Sequence, residues 1–254
     1  MKLEARQVEK PWGRTRLPPP FGDTGGRRIG EIWFEGPADL PLLAKYIFTG
    51  EKLSVQVHPD DAAARARGLP RGKSECWYIL DAEPDAAIGL GLSAETPREA
   101  LRAAAADGSI EGLMDWVPVA AGDFFFVPAG TIHAIGAGIA LLEFQQASDV
   151  TYRLYDYGRP RALHLDDAVA VAAAGPYVRR PDPRPPSLVE SPPFSLLRAT
   201  EAPVPLEDRR RWVLPVEGEA RAGGETAGPG ECLVVAPGVP LDLGAGAVAF
   251  VGAE

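Results

Sequence analysis

Hydrophobic positions in this chain come in short bursts. Runs such as "AKYIFTG" (44–50), "ECWYIL" (75–80), "GDFFFVP" (122–128) and "IALLEF" (139–144) are separated by turns drawn from 28 glycines and 26 prolines. Evenly spaced short strands with this punctuation predict an all-β sandwich or barrel. Helices are additions to that body. The strongest is "ETPREALRAAAADG" (95–108), with Thr96 as N-cap, Pro97 at the first helical position, Glu99 completing a capping box and Gly108 ending the run. Shorter helices are expected to begin at Asp60 and near Asp166.

The segment 181–193, "PDPRPPSLVESPP", carries six prolines and reads as a linker, unable to form a helix or an interior strand. It divides a large N-terminal domain, 1–180, with a helical insertion near 94–115, from a small C-terminal β domain, 194–254. Residues 121–144 and 229–252 echo each other across the linker without gaps at an offset of 108, matching Gly122, Gly130, Gly136 and Gly138 to Gly230, Gly238, Gly244 and Gly246. Glycines recurring in register imply that the same turns are made twice. The echo also pairs His133 with Leu241 and Glu143 with Val251, so a duplicated barrel with one functional half is expected. The second copy is expected to hold no metal and to cover apolar surface on the first.

A net charge of −9 and the lack of a long Lys/Arg run argue against a nucleic-acid partner. No stretch has the length of a signal peptide core or a membrane span, so a cytoplasmic location without a membrane partner is expected. Cys76 and Cys232 are too few and too isolated for a disulfide framework and are read as reduced packing residues.

The candidate chemistry lies in three runs. In "LSVQVHPDD" (53–61) strand alternation puts Ser54, Gln56 and His58 on one face and Val55 and Val57 on the other. In "GKSECWYIL" (72–80) it groups Lys73, Glu75 and Trp77; in "PAGTIHAIG" (128–136) it groups Thr131, His133 and Ile135. If all face inward, Gln56, His58, Glu75 and His133 supply an amide, two imidazoles and a carboxylate, a set of metal ligands with room for water or substrate. Glu143, a carboxylate in an apolar run, is costly to bury without a task or a partner, so it is read as an acid/base group or half of a salt bridge. Lys73 is a second proton-transfer candidate, with a pKa lowered by burial, or a phosphate clamp. Ser54 is a candidate for substrate contact. His164, Trp33 and the tyrosines 152, 155 and 157 are read as structural.

The blocks "SVQVHPDD", "GKSECWYIL", "GDFFFVPAGTIHAIGAGI" and "LLEFQQASDVTYRLYDYGR" together resemble the type I mannose-6-phosphate isomerases of the cupin superfamily, in their short bacterial form, over about residues 30 to 165. That resemblance implies a mainly β cupin (jelly-roll) barrel with short helical additions, followed by a smaller degenerate cupin-like β domain. It implies one Zn2+ per chain held by Gln56, His58, Glu75 and His133, Arg153 as the active-site arginine, and a phosphorylated hexose as substrate, isomerised between mannose 6-phosphate and fructose 6-phosphate. A divalent cation at that site would act as Lewis acid and orient the open-chain sugar, and Arg153 stays protonated, so its expected duty is to hold developing negative charge. The same donor set fits a non-haem iron oxygenase or a non-catalytic sugar-binding cupin, and glucose and mannose phosphates differ at the carbon whose proton moves. The oligomeric state is left open.

Overall fold

The computed structural model describes residues 1–179 and 186–254. The apolar run Ile139–Gln146 is buried along its whole length because it is an interior strand of a six-stranded sheet. Its neighbours are Leu42–Phe48 and Glu75–Ala82; beyond these lie Ile29–Glu35 and Glu4–Arg14 on one side and Phe124–Val127 on the other. A five-stranded sheet, ordered Tyr152–Tyr155, Val55–Val57, His133–Ile135, Ala87–Leu92, Met114–Pro118, packs against it. Ile47, Trp77, Ile79 and Leu141 from the first sheet share one core with Ile88, Leu90 and Ile135 from the second. The ladders between these strands are antiparallel, as expected of a cupin barrel.

The C-terminal strands repeat this plan. Ser195–Ala199, Val248–Ala253, Arg211–Glu217 and Leu233–Val235 follow one another in the order of Leu42–Phe48, Ile139–Gln146, Glu75–Ala82 and Phe124–Val127. Leu241–Leu243, Ala220–Ala222 and Glu225–Ala227 do the same for His133–Ile135, Ala87–Leu92 and Met114–Pro118. The turns coincide as well: Gly122, Gly130 and Gly138 have φ of +97°, +88° and +79°, and Gly230, Gly238 and Gly246 have +83°, +73° and +73°. Side chains other than glycine are strained there, which is why these letters survive in both copies.

The helices fit around this frame. Asp60 caps Asp61–Arg65 by accepting from the Ala63 amide at 2.7 Å. Arg98–Asp107 and Ile110–Leu113 fall between the strands Ala87–Leu92 and Met114–Pro118, and Gly108 closes the longer helix at φ +85°. The expected capping box does not form. Pro97 occupies the N-cap itself with extended ψ of 144°, and Thr96 turns its hydroxyl back to the Ala94 carbonyl at 3.1 Å. Proline forces the residue before it out of helical geometry, and the Thr96 amide is bonded to the Ala174 carbonyl instead. The fourth helix, Leu165–Val171, begins next to His164.

Of the proline-rich segment 181–193, residues 181–185 lie outside the described residues. Ser187–Glu190, read from sequence as linker, forms an edge strand of the C-terminal sheet, a position that tolerates flanking prolines. The two sheet pairs share a core in which Phe34, Phe126 and Phe144 meet Phe194, Trp212 and Phe250. At Gly252 the approach is so close that a Cβ would stand 2.8 Å from the Phe144 ring. The chain's first residues also cross over: the Leu3 amide donates to the Cys232 carbonyl at 2.9 Å and the Val234 amide to Met1 at 2.8 Å, covering the open edge of Leu233–Val235. Both cysteines are free and buried. No helix among the described residues is long and apolar enough to cross a membrane.

Candidate metal centre

Period-two alternation and strand register bring the separated polar residues together. Gln56 pairs directly with His133 on one side and with Arg153 on the other, so three candidates lie on one rung of the five-stranded sheet. Glu75 opens a strand of the opposite sheet, paired with Gln145. His58 follows the strand Val55–Val57, and its carbonyl accepts from the Gly130 amide at 2.8 Å, which ties it to the turn ahead of His133.

The ligand atoms converge. Glu75 Oε1 lies 3.3 Å from His133 Nε2, and Glu75 Oε2 lies 3.4 Å from His58 Nε2. His58, Glu75 and His133 each offer an atom within 4.8 Å of the others, and each side chain is 1% exposed. The fourth expected ligand, Gln56, lies beside this group, with its amide nitrogen 3.2 Å from His133 Nε2 and its Oε1 accepting from Ser54 Oγ at 3.1 Å. The His133 Nδ1 stands 2.9 Å from the Thr131 carbonyl, which accepts its proton and leaves the Nε2 lone pair turned toward Glu75.

Electrostatics prepare these groups to receive a cation. Burial, reinforced by Lys73, pushes His58 down to about 3, and burial lowers His133, so both imidazoles are neutral donors at neutral pH. Burial alone would raise Glu75, but Lys73, His58 and His133 outweigh it and hold the carboxylate well below its ordinary range. Both Glu75 oxygens and His58 Nδ1 are buried without a hydrogen bond. Lys73, 3.1 Å from Oε2, offsets part of the cost of that ionised carboxylate, and a divalent cation between it and the two imidazoles would offset the rest. Two imidazoles, a carboxylate and an amide oxygen are a donor set that suits zinc.

A polar recess opens beside this cluster. Ser54, Gln56, Lys73, Glu143 and Arg153 line it, so the side chains singled out in the sequence outside the buried triad reach one space. Lys73 Nζ lies 3.1 Å from Glu75 Oε2 and 3.2 Å from His58 Nε2. The expectation of a lowered lysine pKa is corrected here: burial pulls Lys73 down, but Glu75 and Glu143 more than compensate and raise it. Glu143 accepts from Trp77 Nε1 at 3.0 Å and faces Lys45 at 3.1 Å, and burial raises its pKa despite that lysine. Arg153 is half-buried, and its Nε has no hydrogen-bond partner. Its backbone is held by His164, whose amide donates to the Arg153 carbonyl at 2.8 Å, in keeping with the structural reading of that histidine. Trp33 also borders the recess, with Lys45 Nζ 4.6 Å from its ring centroid. Tyr155 and Tyr157 pack on each other at 4.9 Å.

Several charged lining residues escaped the sequence reading, Lys10, Glu31 and Asp149 as well as Lys45 and Arg161. Lys45 is a lysine inside the apolar run "LLAKYIF", the same signal that exposed Glu143. Arg161 is gripped through two nitrogens by the buried Asp156 at 2.6 Å each.

No family model matches the chain. The chain is 38% identical over 214 residues to the mannose-6-phosphate isomerase of Streptococcus mutans, a match covering 68% of this chain and 67% of that protein. The chain belongs to the mannose-6-phosphate isomerase family. It is 48% identical over 162 residues to mannose-6-phosphate isomerase ManA of Bacillus subtilis, where the match covers 58% of this chain and 51% of the relative, so the alignment spans about half of that protein. The crystal structure of mannose 6-phosphate isomerase from Bacillus subtilis superposes with a TM-score of 0.82 at 28% identity, covering 99% of this chain and 98% of that one. A zinc-bound mannose 6-phosphate isomerase structure, 16% identical with a TM-score of 0.73, shares the fold. The sequence matches thus span part of the chain, whereas the fold matches span all of it.

Proposed function

We propose that this chain interconverts mannose 6-phosphate and fructose 6-phosphate, with one zinc ion held by Gln56, His58, Glu75 and His133. The reading rests on one observation above the others: two buried neutral imidazoles converge on a buried carboxylate beside a recess lined by a lysine, a second carboxylate and an arginine. When bound, the zinc supplies Lewis acidity toward the substrate's carbonyl and hydroxyl oxygens.

The isomerisation removes a proton from C2 of the open-chain aldose and returns one to C1, through an enediol-type species. Glu143 is assigned the carbon-to-carbon transfer. Its pKa is raised by burial toward the working range of a general base, and Lys45 and Trp77 fix its orientation. Lys73, kept cationic by Glu75 and Glu143, is assigned to the sugar oxygens, where a charged donor stabilises alkoxide character and can exchange a proton between O1 and O2. Arg153 and Ser54 are assigned to substrate binding, and Arg153, which has no ion-pair partner among the described residues, holds negative charge on the sugar phosphate.

The test is a coupled assay for fructose 6-phosphate formation on metal-loaded protein, run with mannose, glucose and other phosphorylated aldoses side by side. Isomerisation of mannose 6-phosphate that is lost on chelation and restored by zinc is expected. Absence of turnover with every aldose phosphate, in protein that binds zinc stoichiometrically, contradicts the assignment.

A further inference from the structure

Strand register allows the interiors of the two barrels to be compared residue by residue. In the first barrel Glu75 pairs with Gln145 and Val127, and in the second Arg211 pairs with Ala253 and Val235, the residues 108 positions further on. Cys76 and Trp212, then Trp77 and Val213, follow in the same register. Arg211 therefore occupies the position of Glu75, the only carboxylate of the metal centre. The other matched positions have lost their polarity: Lys45 becomes Leu197, Glu143 becomes Val251, Gln145 becomes Ala253 and His133 becomes Leu241.

One charge remains in the second interior, and its sign is reversed. Arg211 is 0% exposed, and among the described residues it forms no ion pair. One terminal nitrogen, Nη2, donates to the Val239 carbonyl, while Nε and Nη1 are buried without any partner. A guanidinium stays protonated in proteins, so burial does not relieve the cost by neutralising it. The carboxylate that acts on it, Glu207, lies beyond ion-pairing distance, so two buried N–H donors of a fixed cation are left to be met by an anion.

We propose that the C-terminal barrel keeps the ligand position of the metal barrel with inverted charge: Arg211 makes it a site for a small anion of the oxyanion or carboxylate class, and no cation binds there. The proposal borrows the metal reading of Glu75 only for the comparison, and its test uses no activity. Inorganic phosphate is the probe, added to metal-loaded full-length protein at constant ionic strength. The protein carries Arg153→Gln, which weakens binding in the catalytic recess. A saturable rise in melting temperature is expected, and it is expected to vanish when Arg211→Met is added. Arg211→Lys keeps the charge with fewer donors and is expected to need several-fold more phosphate for the same rise; it also serves if the methionine variant does not fold. The same rise in the Arg211 variants, or no rise in the parent, overturns the proposal. A crystal grown in phosphate decides the position: density against Nε and Nη1 of Arg211 supports it, and phosphate bound only elsewhere, an adventitious ion only, refutes it.

Discussion

The two barrels share strand order, turn glycines and register, yet one interior holds His58, Glu75, His133, Glu143 and Lys45 while the other is filled by Leu197, Val213, Leu241 and Val251 around a lone Arg211. The fold survives complete exchange of these inward positions because its specification lies elsewhere, in the period-two apolar pattern and in turns that require left-handed glycine. The polar interior is a burden on stability, since each buried polar group must be matched by a partner. The converging His58, Glu75 and His133 and a charged recess persist only in the copy whose chemistry needs them. Where that need is absent, the interior reverts to close-packed aliphatic side chains.

The largest expected effect comes from removing one barrel. Truncation within the proline-rich segment exposes Phe34, Phe126 and Phe144 and frees the first three residues from their strand, without deleting a metal ligand. Aggregation or loss of a cooperative melting transition is expected. A truncated chain with an unchanged melting temperature would show that the second barrel contributes nothing to the first. Next comes His133→Ala, expected to lower metal content and to take activity to near background, read by elemental analysis and the coupled assay. Leu241→Ala, its counterpart, is expected to leave metal content and turnover intact. Loss of metal from the Leu241 variant would break the division of labour.

Within the functional barrel, Glu143→Gln keeps the shape and removes the base, and is expected to lower kcat by about 10²–10⁴-fold with metal content unchanged. Near-normal turnover would reassign Glu143 to its salt bridge with Lys45. In the other barrel, Phe250→Ala removes a fully buried ring at the shared core and is expected to cost about 3–5 kcal/mol of stability, with kcat retained below the lowered melting temperature.

Much of this was legible in the sequence for a simple reason: alternation fixes which side chains share a face, so Gln56 with His58, and Lys73 with Glu75, could be grouped before any coordinates. Lys45, a charge inside an apolar strand, was legible on the same ground as Glu143. Arg211 was hidden twice. It closes the run Arg209, Arg210, Arg211, which reads as a solvated charge cluster, and its match to Glu75 is 136 residues apart, not 108. The helices Arg98–Asp107 and Ile110–Leu113 interrupt the first copy between Glu75 and Phe124, whereas the second copy makes its turn at Gly223 and Gly224. A gapless repeat comparison stops at that insertion. The capping box failed because the backbone preference before Pro97 overrode a side-chain motif.

The barrels also differ in how their stability depends on pH. All three histidines of the chain precede Leu165, so none lies in the C-terminal barrel. In metal-free protein His58 is held near 3, below the ordinary histidine value, so the unfolded chain takes up the proton first. Stability is then complete above about pH 6.5 and declines as the pH falls toward 3, by at most about 1.4 kcal/mol per pH unit for this one group. His58→Gln is expected to flatten that decline. An identical pH profile in the variant would mean that His58 is not the group responsible.

The most direct measurement is anomalous scattering at the zinc edge from crystals of the zinc-loaded full-length chain. One peak among Gln56, His58, Glu75 and His133, with none beside Arg211 and Leu241, is the predicted result. A peak in the second barrel, or none at the first-barrel ligands, would contradict the account of one metal-binding copy and one charge-inverted copy.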